Sequence, residues 1–195
     1  FVAKTTIHRN KQMIWLILGI LLWTGAHLFK RILPNQRAAL GKMGKAVIAI
    51  LILGSIALMF VGYRDAGDVP LYALPIWAWY VNNLFMLIAI FMMDVGKANG
   101  VVRTKIRHPM LLGVVLWSTA HLLVNGDLAS LTLFGGLGIW ALIEMAAINR
   151  AEGLWRPPAR GSFLGDGKMA ILAVVIFAAI VGVHYWLGYS VIAFL

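Results

Sequence analysis

An all-α, polytopic membrane protein, a bundle of six transmembrane helices, is predicted from three observations on this 195-residue sequence. Hydrophobic residues make up 62% of the chain and charged residues only 12%, with a mean hydropathy of +0.87, which leaves too little polar surface to coat a water-soluble globule. Apolar stretches of about 20 residues, the length a helix needs to cross about 30 Å of hydrocarbon, recur six times. The basic residues gather in alternate connecting segments, as they do around membrane spans.

The spans are expected near residues 13–33, 44–63, 74–94, 108–126, 128–148 and 169–193. The first carries no charge from Met13 to Leu22, and Pro34 stops it just after Lys30-Arg31. The second runs from Ala46 to Gly62 and closes on Tyr63-Arg64-Asp65. Pro75 opens the third as a first-turn proline, and Trp77, Trp79 and Tyr80 form an interfacial aromatic belt there. Pro109 opens the fourth in the same way. Asn125-Gly126-Asp127 is a tight-turn signal, which predicts an antiparallel hairpin of the fourth and fifth spans. The segment from Asn149 to Lys168, rich in Gly, Pro and Arg, leads to the sixth.

Seventeen Lys and Arg against seven Asp and Glu would suit a nucleic-acid binder in a soluble protein, but the charge deficit excludes that class. The segments after spans one, three and five hold Lys30, Arg31, Arg37, Lys42 and Lys45, then Lys97, Arg103, Lys105 and Arg107, then Arg150, Arg156, Arg160 and Lys168. The two intervening turns hold Arg64 alone. Odd-numbered loops therefore read as cytoplasmic and both termini as lying on the opposite side. Lys4, Arg9 and Lys11 run against this pattern, and residues 1–12 are read as an extension ahead of a domain spanning 13–195. No small-x-small cleavage pattern precedes His27, so the first span reads as retained.

At membrane depth a polar side chain is a functional hypothesis by default. The set comprises His27, Asn82, Asn83, His121, Glu144 and His184, with His108 at the cytoplasmic mouth. The absence of cysteine excludes disulfides, thiolate ligands, a Cys nucleophile and covalent haem attachment. Two readings of the histidines follow: facing imidazoles from two helices as axial ligands of a b-type haem, or hydrogen bonds that tie helices together. Gly113, Trp117, His121 and Asn125 recur every four residues and share a helix face, and Gly19, Trp23 and His27 repeat the arrangement on span one. A planar macrocycle suits such a face, with Lys30 or Arg31 pairing its propionates; the plainer reading is glycine for close helix approach and tryptophan as filler. Counted from the cytoplasmic boundary, His27 lies roughly 9 Å deep, His121 roughly 18 Å and His184 roughly 22 Å. Depth slightly prefers His121 with His184, and a tilted ring admits His121 with His27, so it does not choose between them. Glu144, at about the depth of His27, is a partner either for that imidazole or for Arg31.

The stretch Arg107-His108-Pro109-Met110-Leu111-Leu112-Gly113, continuing through Ala120-His121-Leu122-Leu123-Val124-Asn125-Gly126-Asp127, resembles the NnrU family, as do Gly25-Ala26-His27 and the closing His184-Tyr185-Trp186-Leu187-Gly188. Members are bacterial inner-membrane proteins associated with nitrite and nitric-oxide reduction and are related to the plastid 15-cis-zeta-carotene isomerase. The resemblance implies haem b held between helices by His27 and His121, with His184 the alternative ligand, and a redox or isomerisation step on a hydrophobic substrate. The isomerase's cysteine-linked ligand switch has no counterpart, Ser118 and Thr119 standing nearby. Arg107-His108-Pro109 followed by Gly113 also resembles membrane methyltransferases, where it implies an S-adenosylmethionine site at the cytoplasmic mouth, although their paired glutamates are missing here. A third expectation is an assembly or scaffold subunit that meets a membrane-protein partner through small-residue faces such as Ala178 and Gly182.

Overall fold

A computed structural model describes the backbone of residues 2–67 and 69–191, and side chains from residue 12 onward. The described residues form no strand and fold into seven α-helices. These are α1 (Val2–Ile32), α2 (Pro34–Ala39), α3 (Gly44–Asp65), α4 (Trp77–Val95), α5 (Pro109–Val124), α6 (Leu128–Glu152, including a wide π-helical turn at Leu131–Gly135) and α7 (Phe163–Trp186). Five of them, α1, α3, α4, α6 and α7, are long and apolar enough to cross a membrane. Their outer side chains, such as Ile17 and Leu21 on α1 and Ile171, Val174 and Val175 on α7, are exposed apolar groups suited to lipid.

The expectation of six full-length spans is corrected at α5. Pro109 sits in its first turn, and Asn125 turns extended (φ −121°, ψ 97°) to end it. Its 16 residues rise only about 24 Å, short of the roughly 30 Å of hydrocarbon. Spans one and six also begin earlier than expected. Helix α1 runs back through the basic segment to Val2, and α7 starts at Phe163, where the Ser162 side chain accepts from the Gly165 N–H. The side chains of Lys4, Arg9 and Lys11 and the last two residues of the expected sixth span lie outside the described residues.

The chain divides into two compact units. The first comprises the residues up to Tyr72 with Asp127–Ala151, and the second Ala73–Gly126 with the chain from Glu152 onward. The turn expected to close a hairpin at Asn125-Gly126-Asp127 is where the chain passes from the second unit into the first.

In the first unit α1 packs against α3 through missing side chains. A Cβ on Gly62 would lie 2.8 Å from Leu16 Cα and 2.9 Å from Gln12 O, and one on Gly19 would lie 2.8 Å from Met59 N and 2.9 Å from Ser55 O. Two apolar helices in lipid gain little from the hydrophobic effect, so such backbone-to-backbone approach, with its dense dispersion contacts, holds them together. Gly62→Val is expected to destabilise the detergent-solubilised protein by about 2 kcal/mol through overpacking. Thermal unfolding checks this, and Gly54→Val, where the added Cβ meets nothing within 4 Å, should leave the midpoint in place.

Asp127 begins α6. Its carboxylate accepts from the Ser130 backbone N–H (2.8 Å) and from the Ser130 hydroxyl (2.5 Å), and Tyr63 Oη lies 2.9 Å from that same hydroxyl oxygen. Burial first, and the Asp127 charge second, push the Tyr72 phenol above its ordinary value of 10.0. A phenol whose folded value is raised favours the folded state fully below the unfolded value of about 10 and loses that contribution as pH rises through the folded value. Asp127→Asn keeps the cap and removes the charge. It should move the Tyr72 titration, isolated by ultraviolet difference against Tyr72→Phe, part of the way back; an unmoved titration contradicts the assignment.

In the second unit α5 lies against α4, since a Cβ on Gly113 would stand 2.8 Å from Ala89 O and 3.1 Å from Met93 N. The Asn82 amide nitrogen, 2.9 Å from Ala120 O, ties the same two helices, and Asn83 donates to Val191 O (3.1 Å). The start of α7 is anchored by Asp166. This buried carboxylate accepts from the Val101 N–H (2.8 Å) and the Val102 N–H (3.3 Å), while Gly161 and Gly165 give the Asn99 carbonyl room.

Candidate functional site

Trp23, His27 and Arg31 follow one another at four-residue steps on α1, and Trp140 and Glu144 do the same on α6. The His27 Nδ1 lies 2.9 Å from Trp23 O. A carbonyl can only accept, so Nδ1 carries a proton, and in the neutral imidazole the lone pair is on Nε2. The imidazole stands between two indoles, with ring centroids 4.2 Å from Trp23 and 4.8 Å from Trp140, and the two indoles meet edge-on at 5.2 Å.

Below this aromatic group Arg31 Nε donates to Glu144 Oε1 at 2.9 Å, with side chains 21% and 10% exposed. Of the two partners expected for Glu144, the structure selects Arg31. The guanidinium expected to meet a propionate is therefore already matched by a carboxylate, and Lys30, exposed one residue earlier, is the cation open to an added anionic group. Trp140 was not singled out by the sequence reading. Its spacing of four from Glu144 was the available signal.

The second unit repeats the histidine geometry twice. His121 Nδ1 lies 2.9 Å from Trp117 O, with the Trp117 ring 4.9 Å away, and His184 Nδ1 lies 2.8 Å from Ile180 O. Asn125 donates from both its backbone and its side chain to His121 O (2.9 Å each), closing the helix just past the imidazole. His27 belongs to the first unit, so the expected ligand pair has one member in each unit, and the alternative pair, His121 with His184, lies within the second.

Gly113 and Gly19 give their space to α4 and α3 respectively. On those faces the glycines serve helix approach, and Trp117 and Trp23 supply the flat walls beside the imidazoles. At the mouth of the second unit His108 precedes the first turn of α5. Arg107 donates to Gly153 O (2.7 Å) and lies 3.8 Å from Glu152, and Arg103 donates to Asn99 Oδ1 and Ala159 O (3.0 Å each). Both guanidiniums thus hold the loop between α6 and α7, a structural use of the residues that resembled a methyltransferase mouth.

Among the described residues no group of three or more His, Cys, Asp and Glu is placed to hold a bare metal ion. A haem asks for less, because its porphyrin supplies four equatorial nitrogens and the protein only axial donors. An imidazole whose Nδ1–H is held by a carbonyl, presenting the Nε2 lone pair, is the usual form of such a donor. His27, His121 and His184 all have that Nδ1 contact. By donor chemistry the residues fit the group.

A family model described as NnrU protein matches residues 15–191. No curated protein and no solved structure matches the chain.

Proposed function

The chain belongs to the NnrU family, and on that premise we propose that it is a multi-pass inner-membrane protein that holds haem b through His27 and His121. Its work would be to support nitrite or nitric-oxide reduction, or to carry out a redox or isomerisation step on a hydrophobic substrate. In this reading α5 is a short sixth crossing, the basic loops are cytoplasmic and both termini are periplasmic. The observation that carries the reading is the common tautomer. Each intramembrane imidazole is pinned at Nδ1 by the carbonyl four residues before it (2.9, 2.9 and 2.8 Å), so that its neutral form carries the lone pair on Nε2.

Bound there, haem supplies one-electron chemistry at its iron. The chain's own residues do the rest. The carbonyls of Trp23 and Trp117 fix the ring orientation and raise the basicity of the ligand nitrogen. The indoles exclude water from the imidazoles. Lys30 is a cation for a propionate at the cytoplasmic side, whereas Arg107, beside His108 at the mouth of the second unit, is engaged by Gly153 O and Glu152. Haem added to the detergent-solubilised protein should bind at about one per chain and give a sharp Soret band. Absence of saturable binding rejects the reading.

A further inference from the structure

The segment 153–162 joins α6 to α7, two helices that are both long and apolar enough to cross a membrane, which keeps it close to the headgroup layer. It is tied down at both ends by the connection between α4 and α5. Arg107 donates to Gly153 O (2.7 Å) and Arg103 to Ala159 O (3.0 Å), and the Gly161 and Ser162 N–H groups donate to Gly100 O and Asn99 O (3.1 Å each).

Held in this way, the segment leaves its apolar side chains uncovered. Leu154 is 98% exposed, and Phe163 and Leu164, which open α7, are 71% and 69% exposed. The 24 residues of α7 rise about 36 Å, more than the roughly 30 Å of hydrocarbon. With Trp186 at one interface, Phe163 and Leu164 stand at headgroup level at the other. Interfacial segments bury such groups at the boundary between headgroups and acyl chains.

The charges around these side chains are cationic. Residues 94–108 and 152–168 carry seven Lys and Arg against three Asp and Glu, and each carboxylate is already engaged. Asp94 meets Lys97 (2.9 Å), Glu152 lies 3.8 Å from Arg107, and Asp166 accepts from the Val101 and Val102 N–H groups. Lys105, Arg156, Arg160 and Lys168 are exposed, with no carboxylate paired to them among the described residues. The Arg160 guanidinium lies over the Phe163 ring, 5.9 Å from its centroid, which sets a cation and an apolar group at one spot.

We propose that residues 153–164 form a docking surface for anionic phospholipid, with Leu154 and Phe163 set into the headgroup boundary and Arg156 and Arg160 paired with lipid phosphates. A bilayer is favoured over a protein as occupant because the surface is joined to two spanning helices and its unmatched guanidiniums suit phosphate. The surface rests on the membrane spans alone and forms with or without haem.

The chain has no cysteine, so Leu154→Cys supplies a single thiol for an environment-sensitive fluorophore at an exposed position. The whole labelled protein is reconstituted into phosphatidylcholine vesicles holding a minority of phosphatidylglycerol. Its emission is quenched, in separate samples, by doxyl-phosphatidylglycerol, by doxyl-phosphatidylcholine and by acrylamide, a neutral quencher in the water. Both lipids should quench the label and acrylamide only weakly. The anionic lipid should quench about fivefold more than the zwitterionic one, the enrichment that one cation near an anionic surface supplies. Arg156→Gln combined with Arg160→Gln should remove most of that excess and leave quenching by doxyl-phosphatidylcholine in place; both guanidiniums are exposed, so helix packing is untouched. Concentrated salt should act on the parent in the same direction.

The proposal is overturned if acrylamide quenches freely and neither lipid does, which would leave the segment in water. It is equally overturned if none of the three quenches, which would put a protein over the surface. Equal quenching by the two lipids, or an excess that survives the double substitution, would also contradict it.

Discussion

His121→Ala and His27→Ala, each prepared with haem in excess, are expected to lose the six-coordinate low-spin spectrum of the parent and to hold haem at least about tenfold more weakly, since even the loss of a ligand's outer partner acts on that scale. The helices should survive both changes. Each imidazole is bonded to its own helix at the carbonyl four residues back, so its removal leaves the backbone ladder intact, and alanine favours the helix. His184→Ala serves as the discriminating control. It should leave six-coordination in place when the ligands are His27 and His121. An altered spectrum for His184→Ala beside an unaltered one for His27→Ala would place the pair within the second unit, which holds both His121 and His184.

Glu144→Ala is expected to be the most destabilising single change in the first unit. It strips the carboxylate from a guanidinium that is only 21% exposed at its side chain and leaves a charge at the edge of hydrocarbon. Removing one partner of a buried pair costs about 3 kcal/mol, mostly as the penalty on the charge left behind. Arg31→Ala alone should cost a similar amount, and the double variant less than the sum, because neither charge is then stranded. Thermal unfolding of the four proteins forms a double-mutant cycle. A coupling near zero would show that Arg31 reaches water or headgroups without Glu144 and would reduce the 2.9 Å contact to a surface pair.

The membrane class, the start of α5 at Pro109, the Asp127 turn and the Arg31 option for Glu144 were readable from the residues, whereas α4 begins at Trp77, two residues after the Pro75 expected in its first turn. The readable features rest on strong local signals: apolar length, a first-turn proline, an Asn-Gly-Asp turn, and an isolated acid at the depth of a base. The shortness of α5 was not read, because counting the span from His108 to Gly126 included polar residues that belong to its ends. The partnership of Trp140 with Trp23 and His27 was missed for a different reason. Along α6 the face toward α1 and the face toward lipid are both apolar, so the periodicity that marks a buried face in a soluble helix is absent. The same ambiguity left Gly19 and Gly113 open to two readings, as floors for a ring or as points of helix contact. Only the position of the neighbouring backbones, 2.8 Å from the missing Cβ in each case, decides for contact. The anchoring of α7 by Asp166 had no signal beyond Gly161 and Gly165 just before it in sequence, since its partners are backbone N–H groups more than sixty residues earlier.

The proposed function requires imidazoles presenting Nε2 at membrane depth to bind an iron porphyrin. The direct measurement is the absorption spectrum of the detergent-solubilised chain, expressed with ample haem supply, recorded oxidised and then reduced with dithionite beside an iron assay. A Soret band that sharpens and shifts to the red on reduction, resolved α and β bands, and about one iron per chain are expected. A flat visible spectrum with no iron would contradict it and leave the histidines as ties between helices.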